Sequence, residues 1–173
     1  MCPSKCLADC VLASALLGNW LVAVVPNPID TDRWQTLDQR LARQLLRFPQ
    51  DCPLLLFGAI GCTSDPRKGI DLLISAFTQL RREGNLQDLQ FVVFGQPVPQ
   101  SPPKLGFPVH YIGHLHDDLI LRIVHSAADL MLVPSRKEAL AKLHLKPKLA
   151  LRLLLLSIPL VWAMLSKIEL QGL

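Results

Sequence analysis

The chain of 173 residues has the size of one domain that can bury a real hydrophobic core. Its formal net charge is +4 at pH 7, and no dense stripe of lysine and arginine is interleaved with aromatic residues. Nucleic-acid binding is therefore poorly supported. Half of the residues are hydrophobic and the mean hydropathy is +0.32, with much of the excess between Leu149 and Leu165.

The five cysteines argue against metal binding. They form no C-x-x-C pair and no zinc-site spacing, so we expect no metal. Cys2, Cys6 and Cys10 would share one helical face, where buried small hydrophobic residues are favoured over a soft-metal site. The amino terminus lacks a signal-peptide layout, and a reducing cytoplasm is the expected location.

Residues 1–50 predict two helices separated by a strand and a turn. The first helix runs from Pro3 to Leu17 with Ser4 as its cap, and a strand follows from Trp20 to Val25. Two prolines then force a turn, and Asp38 to Leu46 predicts a second, amphipathic helix. We interpret this part as a connector into the next domain.

From residue 51 onward strands and helices alternate regularly. Apolar runs predict strands at 54–58, 89–94, 109–111 and 129–133, while helical spacing predicts helices at 70–82 and 117–127. Such alternation predicts an α/β fold, with a Rossmann-like, doubly wound parallel sheet and flanking helices. In sheets of this kind ligands bind beyond the carboxyl ends of the strands.

The loop between the first of these strands and its helix is the most informative feature. Arg67 and Lys68 stand where the amide groups at a helix start already favour an anion, which suits a diphosphate better than a neutral ligand. A solvated basic turn is an equal alternative, since the loop is neither a Walker loop nor a G-x-G-x-x-G fingerprint. His114 and His116 flank a later turn, where ordinary exposed loop histidines are favoured over a catalytic or metal site.

Several short motifs follow one another in a recognisable order. They are V-P-N-P-I-D at 25–30, F-G at 57–58, P-R-K-G at 66–69, F-G at 94–95, Gly113, and A-D-L-M-L-V-P-S-R-K-E-A at 128–139. Their order and spacing resemble the group 1 (family 4) retaining glycosyltransferases of GT-B architecture. That resemblance implies two Rossmann-like domains facing a cleft, with 51–139 as part of the C-terminal, donor-binding domain. It also implies that 1–50 is a remnant of the N-terminal domain and the linker.

The resemblance assigns roles to several positions. By it, Arg67 and Lys68 hold the diphosphate of a nucleotide-diphosphate sugar, and Gly58 keeps its loop close to the sugar and phosphates. Near the nucleobase it places Gly95, Ile112 and Gly113. The donor is a substrate, so no cofactor is expected, and by family the acceptor is a glycan or a lipid-linked glycan.

The chemistry of the family explains these residue types. In a retaining transfer the sugar ring becomes positive while the nucleoside diphosphate leaves with negative charge, so cations on the diphosphate stabilise the transition state without a metal. Glu138 matches the first glutamate of the family's E-x-x-x-x-x-x-x-E motif and is the catalytic candidate. No paired carboxylates of the hydrolase kind are evident.

Two departures from the family pattern predict little or no transferase activity. Most of the family's N-terminal domain has no counterpart here, and Lys146 stands where the second glutamate of the motif belongs. We hypothesise a frameshift after about Ala139. With suitable synonymous codons, one added T in codon 140 changes the translation of 139–149 to A-F-G-Q-T-A-S-E-A-Q-A, which restores the motif.

Residues 140–173 then form an aberrant hydrophobic tail. Leu149 to Leu165 is long enough for a membrane span, but Arg152 and Pro159 interrupt it. Packing as a helix on an open sheet surface, or aggregation, is favoured over a span. The competing functions are a nucleotide-binding module without catalysis and a fragment anchored to, or peripherally associated with, a membrane.

Overall fold

The computed structural model describes residues 1–28, 30–58, 65–82, 88–136 and 152–155. At Leu80 and at 152–155 it describes the backbone alone. The described residues fall into two compact units, which divide after Gln35.

The first unit, within Met1–Gln35, contains one short helix. Helix α1 spans Lys5–Leu12, and the Ser4 hydroxyl accepts a hydrogen bond from the Leu7 amide at 3.3 Å, as the predicted cap should. Cys2 forms an isolated parallel bridge with Val24. Further on, the Asp30 carboxylate accepts hydrogen bonds from the Asp32 and Arg33 amides, both at 3.0 Å, which closes a tight local turn.

Three predictions for this unit are wrong. Helix α1 ends at Leu12 and not at Leu17, because the Ser14 hydroxyl accepts a hydrogen bond from the Leu16 amide in a local turn that competes with the helix. Trp20 to Val25 is not a strand, since Val24 alone pairs, and Leu21 is 100% exposed. Cys6 and Cys10 are exposed, and of the three amino-terminal cysteines Cys2 alone is buried.

The second unit is built on a parallel sheet. Strands β1 (Leu54–Gly58), β2 (Gln90–Phe94), β3 (Val109–Tyr111), β4 (Leu130–Val133) and β5 (Arg152–Leu155) lie in the order β3-β2-β1-β4-β5. Every neighbouring pair is parallel. Helices α2 (Gln39–Leu46), α3 (Ile70–Arg82) and α4 (Asp118–Ala127) flank the sheet, so the predicted α/β, Rossmann-like fold is confirmed.

Both faces of the central strands are buried, as their continuous apolar sequence predicts. On one face Phe57 and Phe91 pack under α3, where the Phe77 ring meets the Phe91 ring edge-on with centroids 5.3 Å apart. The opposite face buries Leu56 and Met131. A sheet covered on both faces leaves its strand ends as the accessible edges for a ligand.

Helix α2 belongs to the same unit as the sheet, and the buried Arg43 attaches it there through an ion pair. Arg43 is 4% exposed, and its Nη2 lies 2.7 Å from Asp129 Oδ2. Its other guanidinium nitrogens donate to the carbonyls of Ala127, Gln50 and Cys52. Asp129 also accepts the Leu54 amide at 2.7 Å, which joins α2, the start of β1 and the start of β4.

Part of the tail belongs to the sheet as well. Arg152–Leu155 pairs with β4 from Leu130↔Arg152 to Val133↔Leu155. The expectation that the tail packs as a helix is therefore wrong for these four residues, which form an edge strand. Within the described ranges, no helix is long and apolar enough to cross a membrane.

Candidate functional site

The candidate site lies at the carboxyl edge of the sheet, where the strand order reverses. The chain passes from β1 to β2 on one side, and β4 lies on the other side of β1. The connections that leave β1 and β4 therefore meet at a switch point, which is the usual ligand position in open α/β sheets.

The connection after β1 enters α3 through a single helical turn at Pro66–Lys68. Asp65 caps this turn, because its Oδ1 accepts the Arg67 amide at 2.9 Å. Gly69 follows in the left-handed conformation with φ of +70°, and its carbonyl accepts the amides of Leu72 and Leu73. The turn therefore presents Arg67 and Lys68 directly before the first residues of α3.

Arg67 is largely exposed and forms an ion pair within the turn. The side chain is 78% exposed, and it grips Asp65 with Nε 3.0 Å from Oδ1 and Nη2 2.9 Å from Oδ2. The hydrogen bonds from Arg67 hold the pKa of Asp65 below its ordinary value, and those to Asp65 raise the pKa of Arg67. The Asp65 carboxylate thus accepts from Arg67, while the Arg67 side chain stays largely open to solvent.

The Pro66–Lys68 turn rests against the connection that follows β4. A Cβ atom at Gly69 would lie 2.3 Å from the Pro134 carbonyl oxygen, so only glycine allows this approach. The Arg136 amide donates to the Arg67 carbonyl at 2.8 Å. Lys68, partly buried, thus lies on a turn that is fixed by backbone contacts from a second loop.

Arg136 also binds this turn through its side chain. Its Nη1 lies 2.6 Å from the Pro66 carbonyl oxygen and 2.8 Å from Asp71 Oδ1, while Nη2 contacts Asp71 Oδ2 at 2.5 Å. The pair lowers the pKa of Asp71 and raises that of Arg136. Asp71 lies in the first turn of α3.

Gly58 has a packing role at the end of β1. A Cβ atom there would lie 2.1 Å from Cε1 of the Phe94 ring, so glycine leaves room for this aromatic side chain. The residue ends the strand that leads toward the turn. Its expected closeness to a sugar and its phosphates stays a prediction.

Gly95, Ile112 and Gly113 come together beyond the ends of β2 and β3. The Gly95 amide donates to the Gly113 carbonyl at 2.8 Å, and the Ile112 amide donates to the Val93 carbonyl at 3.0 Å. Apart from its two chain neighbours, no described residue has an atom within 4 Å of a Cβ at Gly113, so the backbone there is open. Their predicted place near a nucleobase is untested, but one backbone cluster holds all three.

Glu138 and Lys146 lie outside the described residues. Among the residues that are described, no three histidine, cysteine, aspartate or glutamate side chains gather to hold a metal ion. His114 and His116 are exposed, with their rings stacked at a centroid distance of 6.2 Å.

Sequence reasoning gave no role to Asp65, Asp71 or Arg136. An aspartate just before a proline is a helix-cap signal, so the capping role of Asp65 could have been predicted from the sequence. Asp71 likewise stands in the first turn of a predicted helix, where acidic residues are common. Its partner Arg136 lies 65 positions away in the sequence, and no local pattern indicates that the two side chains meet in the fold.

A comparison with known protein families shows which family the chain belongs to. The family model described as glycosyl transferases group 1 matches residues 54–161, which is more than half of the chain. The chain belongs to the group 1 glycosyltransferases. The resemblance that the motifs carried is thereby confirmed. No curated protein sequence matches the chain.

Solved structures share the fold of this chain. WaaG, a glycosyltransferase involved in lipopolysaccharide biosynthesis, superposes with a TM-score of 0.65 at 26% identity, over 88% of this chain and 42% of its own. Sucrose-phosphate synthase from Thermosynechococcus elongatus gives 0.65 at 20% identity, over 83% and 36%. A glycosyltransferase from Rickettsia africae gives 0.64 at 14% identity, over 85% and 41%. This group 1 chain therefore spans about two fifths of the length of these solved relatives.

Proposed function

We propose that this group 1 glycosyltransferase chain binds a nucleotide-diphosphate sugar at the carboxyl edge of its sheet. The observation that carries the proposal is the Pro66–Lys68 turn, where two adjacent cations precede a helix start and the loop after β4 holds the backbone in place. Lys68 and Arg67 hold the diphosphate, and Gly58 brings the end of β1 close to it. The base lies against the cluster formed by Gly95, Ile112 and Gly113.

The activity proposed for the family's complete site is sugar transfer with retention of configuration. The cations on the diphosphate stabilise the charge on the leaving group, and Glu138 contacts the reacting sugar. The acceptor is a glycan or a lipid-linked glycan. We propose cytoplasmic location, to which the four unpaired thiols of the described residues conform.

This chain by itself is proposed to transfer little or no sugar. Position 146 carries a lysine where the motif beginning at Glu138 has its second carboxylate, and that substitution reverses the charge. The chain then acts as a nucleotide-binding module without catalysis, because the residues of the diphosphate turn are intact. A purified chain that transfers sugar at a rate comparable to full-length relatives would contradict this.

Isothermal titration calorimetry tests the binding. UDP, GDP and ADP are titrated into the native chain, Lys68→Gln and Arg82→Gln. Arg82 is an exposed residue at the far end of α3, so its variant removes the same charge away from the site. We expect one nucleotide to bind and Lys68→Gln to weaken it by about tenfold or more, since charge-assisted contacts contribute roughly 1.5–3 kcal/mol.

The proposal fails if none of the three nucleotides binds a folded chain. It also fails if Lys68→Gln and Arg82→Gln bind with the same affinity, because the cation on the turn would then have no role. Binding without turnover of a nucleotide sugar supports the module over an active transferase.

A further inference from the structure

The ion pair between Arg136 and Asp71 joins three segments of the site. The Arg136 guanidinium bonds both carboxylate oxygens of Asp71 on α3 and the carbonyl oxygen of Pro66 in the turn. Its own backbone amide bonds the Arg67 carbonyl. The loop after β4 is thus attached to the first two residues of the Pro66–Lys68 turn, Pro66 and Arg67.

The geometry distinguishes this pair from an ordinary surface ion pair. Arg136 and Asp71 are 42% and 59% exposed, and isolated pairs at such exposure contribute little to stability. Here the guanidinium makes a two-pronged contact with the carboxylate and uses the same Nη1 on a backbone carbonyl. A planar fork fixed at three acceptors restrains orientation, which lysine at this position could not do.

The charges also explain why the two residues occur together. Asp71 lies in the first turn of α3, where its negative charge would repel a phosphate bound before the helix. Arg136 neutralises that charge, and Asp71 in turn holds the Arg136 side chain over the Pro66 carbonyl. Neither residue needs to touch the ligand for this arrangement to matter.

We propose that Arg136 and Asp71 are positioning residues that hold the Pro66–Lys68 turn in the geometry that receives the diphosphate. The inference rests on the proposed function, since it assigns the diphosphate to that turn. Arg136 acts through the backbone of the turn and through Asp71. It thereby sets where Lys68 and the amides at the start of α3 point.

Calorimetry with paired ligands separates positioning from general stability. The nucleoside diphosphate that binds tightest is compared with its nucleoside, in the native chain, Arg136→Gln, Asp71→Asn and the control Arg82→Gln. We expect Arg136→Gln to lower the affinity for the nucleoside diphosphate by about tenfold, while its affinity for the nucleoside stays within about twofold of the native value. A merely structural role would weaken both ligands alike, and that result would overturn the proposal.

Asp71→Asn discriminates between positioning and direct charge. If Arg136 simply bound the phosphates, removal of Asp71's negative charge would free the guanidinium and tighten binding. Positioning requires the opposite, a weaker diphosphate affinity, because Arg136 loses the partner that orients it and this loss outweighs the removal of one repelling charge. Tighter binding of the diphosphate by Asp71→Asn would therefore overturn the inference.

Hydrogen exchange in the ligand-free chain keeps this test separate from the proposed function. The Lys68 and Gly69 amides bond to the Asp65 and Pro66 carbonyls within the turn. We expect them to exchange about tenfold faster in Arg136→Gln, with no change in Arg82→Gln. Unchanged exchange overturns the positioning role. Faster exchange in a chain that binds no nucleotide supports it, while the proposed function alone fails.

Discussion

Gly69 joins the Pro66–Lys68 turn to helix α3 at a point where no side chain fits. Its φ of +70° strains any other residue, and a Cβ atom would meet the Pro134 carbonyl oxygen at 2.3 Å. Gly113 has nearly the same φ, +72°, but within the described part of the chain nothing beyond its two neighbours lies within 4 Å of its Cβ position. Substitutions at the two glycines therefore distinguish the cost of a left-handed backbone from the cost of a steric conflict.

We expect Gly113→Ala to cost about 1 kcal/mol of unfolding free energy, which is the price of the left-handed backbone alone. Gly69→Ala should cost roughly 2–4 kcal/mol, because two loop backbones must also move apart. Urea denaturation followed by circular dichroism measures both. Equal losses for the two variants would show that the approach to Pro134 is looser than the structure has it.

Two carboxylates at the site predict a response to acid. Arg67 lowers the pKa of Asp65, and Arg136 lowers that of Asp71, in each case chiefly through side-chain hydrogen bonds. When folding lowers the pKa of a carboxyl group, that group stabilises the native state at pH values above its ordinary pKa of 3.8. That contribution is lost as pH falls through the lower folded pKa.

Carboxyl-carbon NMR titration should therefore find both groups half-protonated below pH 3.8. In Arg136→Gln the midpoint of Asp71 should rise while that of Asp65 stays where it is, because the two pairs share no partner. A rise of both midpoints, or of neither, would contradict the separate pairing.

The contrast between foreseen and unforeseen site residues has a physical reason. Arg67 and Lys68 were predicted because a basic pair before a helix start is a local pattern. The part played by Arg136 depends on a side-chain contact across the switch point, which only the folded sheet creates. Sequence therefore predicted the cations of the turn, and the structure was needed for the groups that hold it.

At the scale of elements, helix α2 depends on the ion pair of a buried arginine. Arg43 is 4% exposed and bonds Asp129 and three carbonyls, so its removal would take the cationic partner from a half-buried carboxylate and a donor from each of the three carbonyl oxygens. The network joins the helix to the amino-terminal ends of β1 and β4. It lies at the edge of the sheet opposite the candidate site.

We expect Arg43→Met to lower the free energy of unfolding by about 2–4 kcal/mol, because three carbonyl oxygens lose a buried donor and Asp129 loses its cationic partner. Gln39 also donates to Asp129, at 2.9 Å, but from an exposed position. Gln39→Ala should cost less than about 1 kcal/mol. Chemical denaturation compares them, and losses of similar size would show that burial is not what makes Arg43 important.

The elements themselves were well predicted where the chain packs against a sheet. Strand β1 and helix α3 have the predicted bounds, because continuous apolar runs and helical spacing persist when both faces are covered. Trp20 to Val25 carries a similar apolar run, yet four of its residues are at least 46% exposed and Val24 alone pairs. An apolar pattern predicts a strand only when a partner strand exists, and the pattern carries no information on the partner.

For the whole molecule, the tail raises a question about the gene. Strand β5 lies next to β4, and the family match continues to residue 161, past the position where we propose the reading frame changes. We expect the gene to contain a longer open frame that one base change near codon 140 restores, with a glutamate at position 146. If sequencing finds no such frame, Lys146 is a genuine substitution and the frameshift hypothesis is wrong.

The central claim is that the carboxyl edge of this sheet binds a nucleotide diphosphate through the Pro66–Lys68 turn. Amide NMR spectra recorded during a titration with the tightest-binding of UDP, GDP and ADP test it most directly. The account predicts the largest shifts at Lys68, Gly69 and Ile70, with further shifts at Gly95 and Gly113. Absence of shifts in a folded chain, or shifts confined to α1 and the rest of Met1–Gln35, would contradict it.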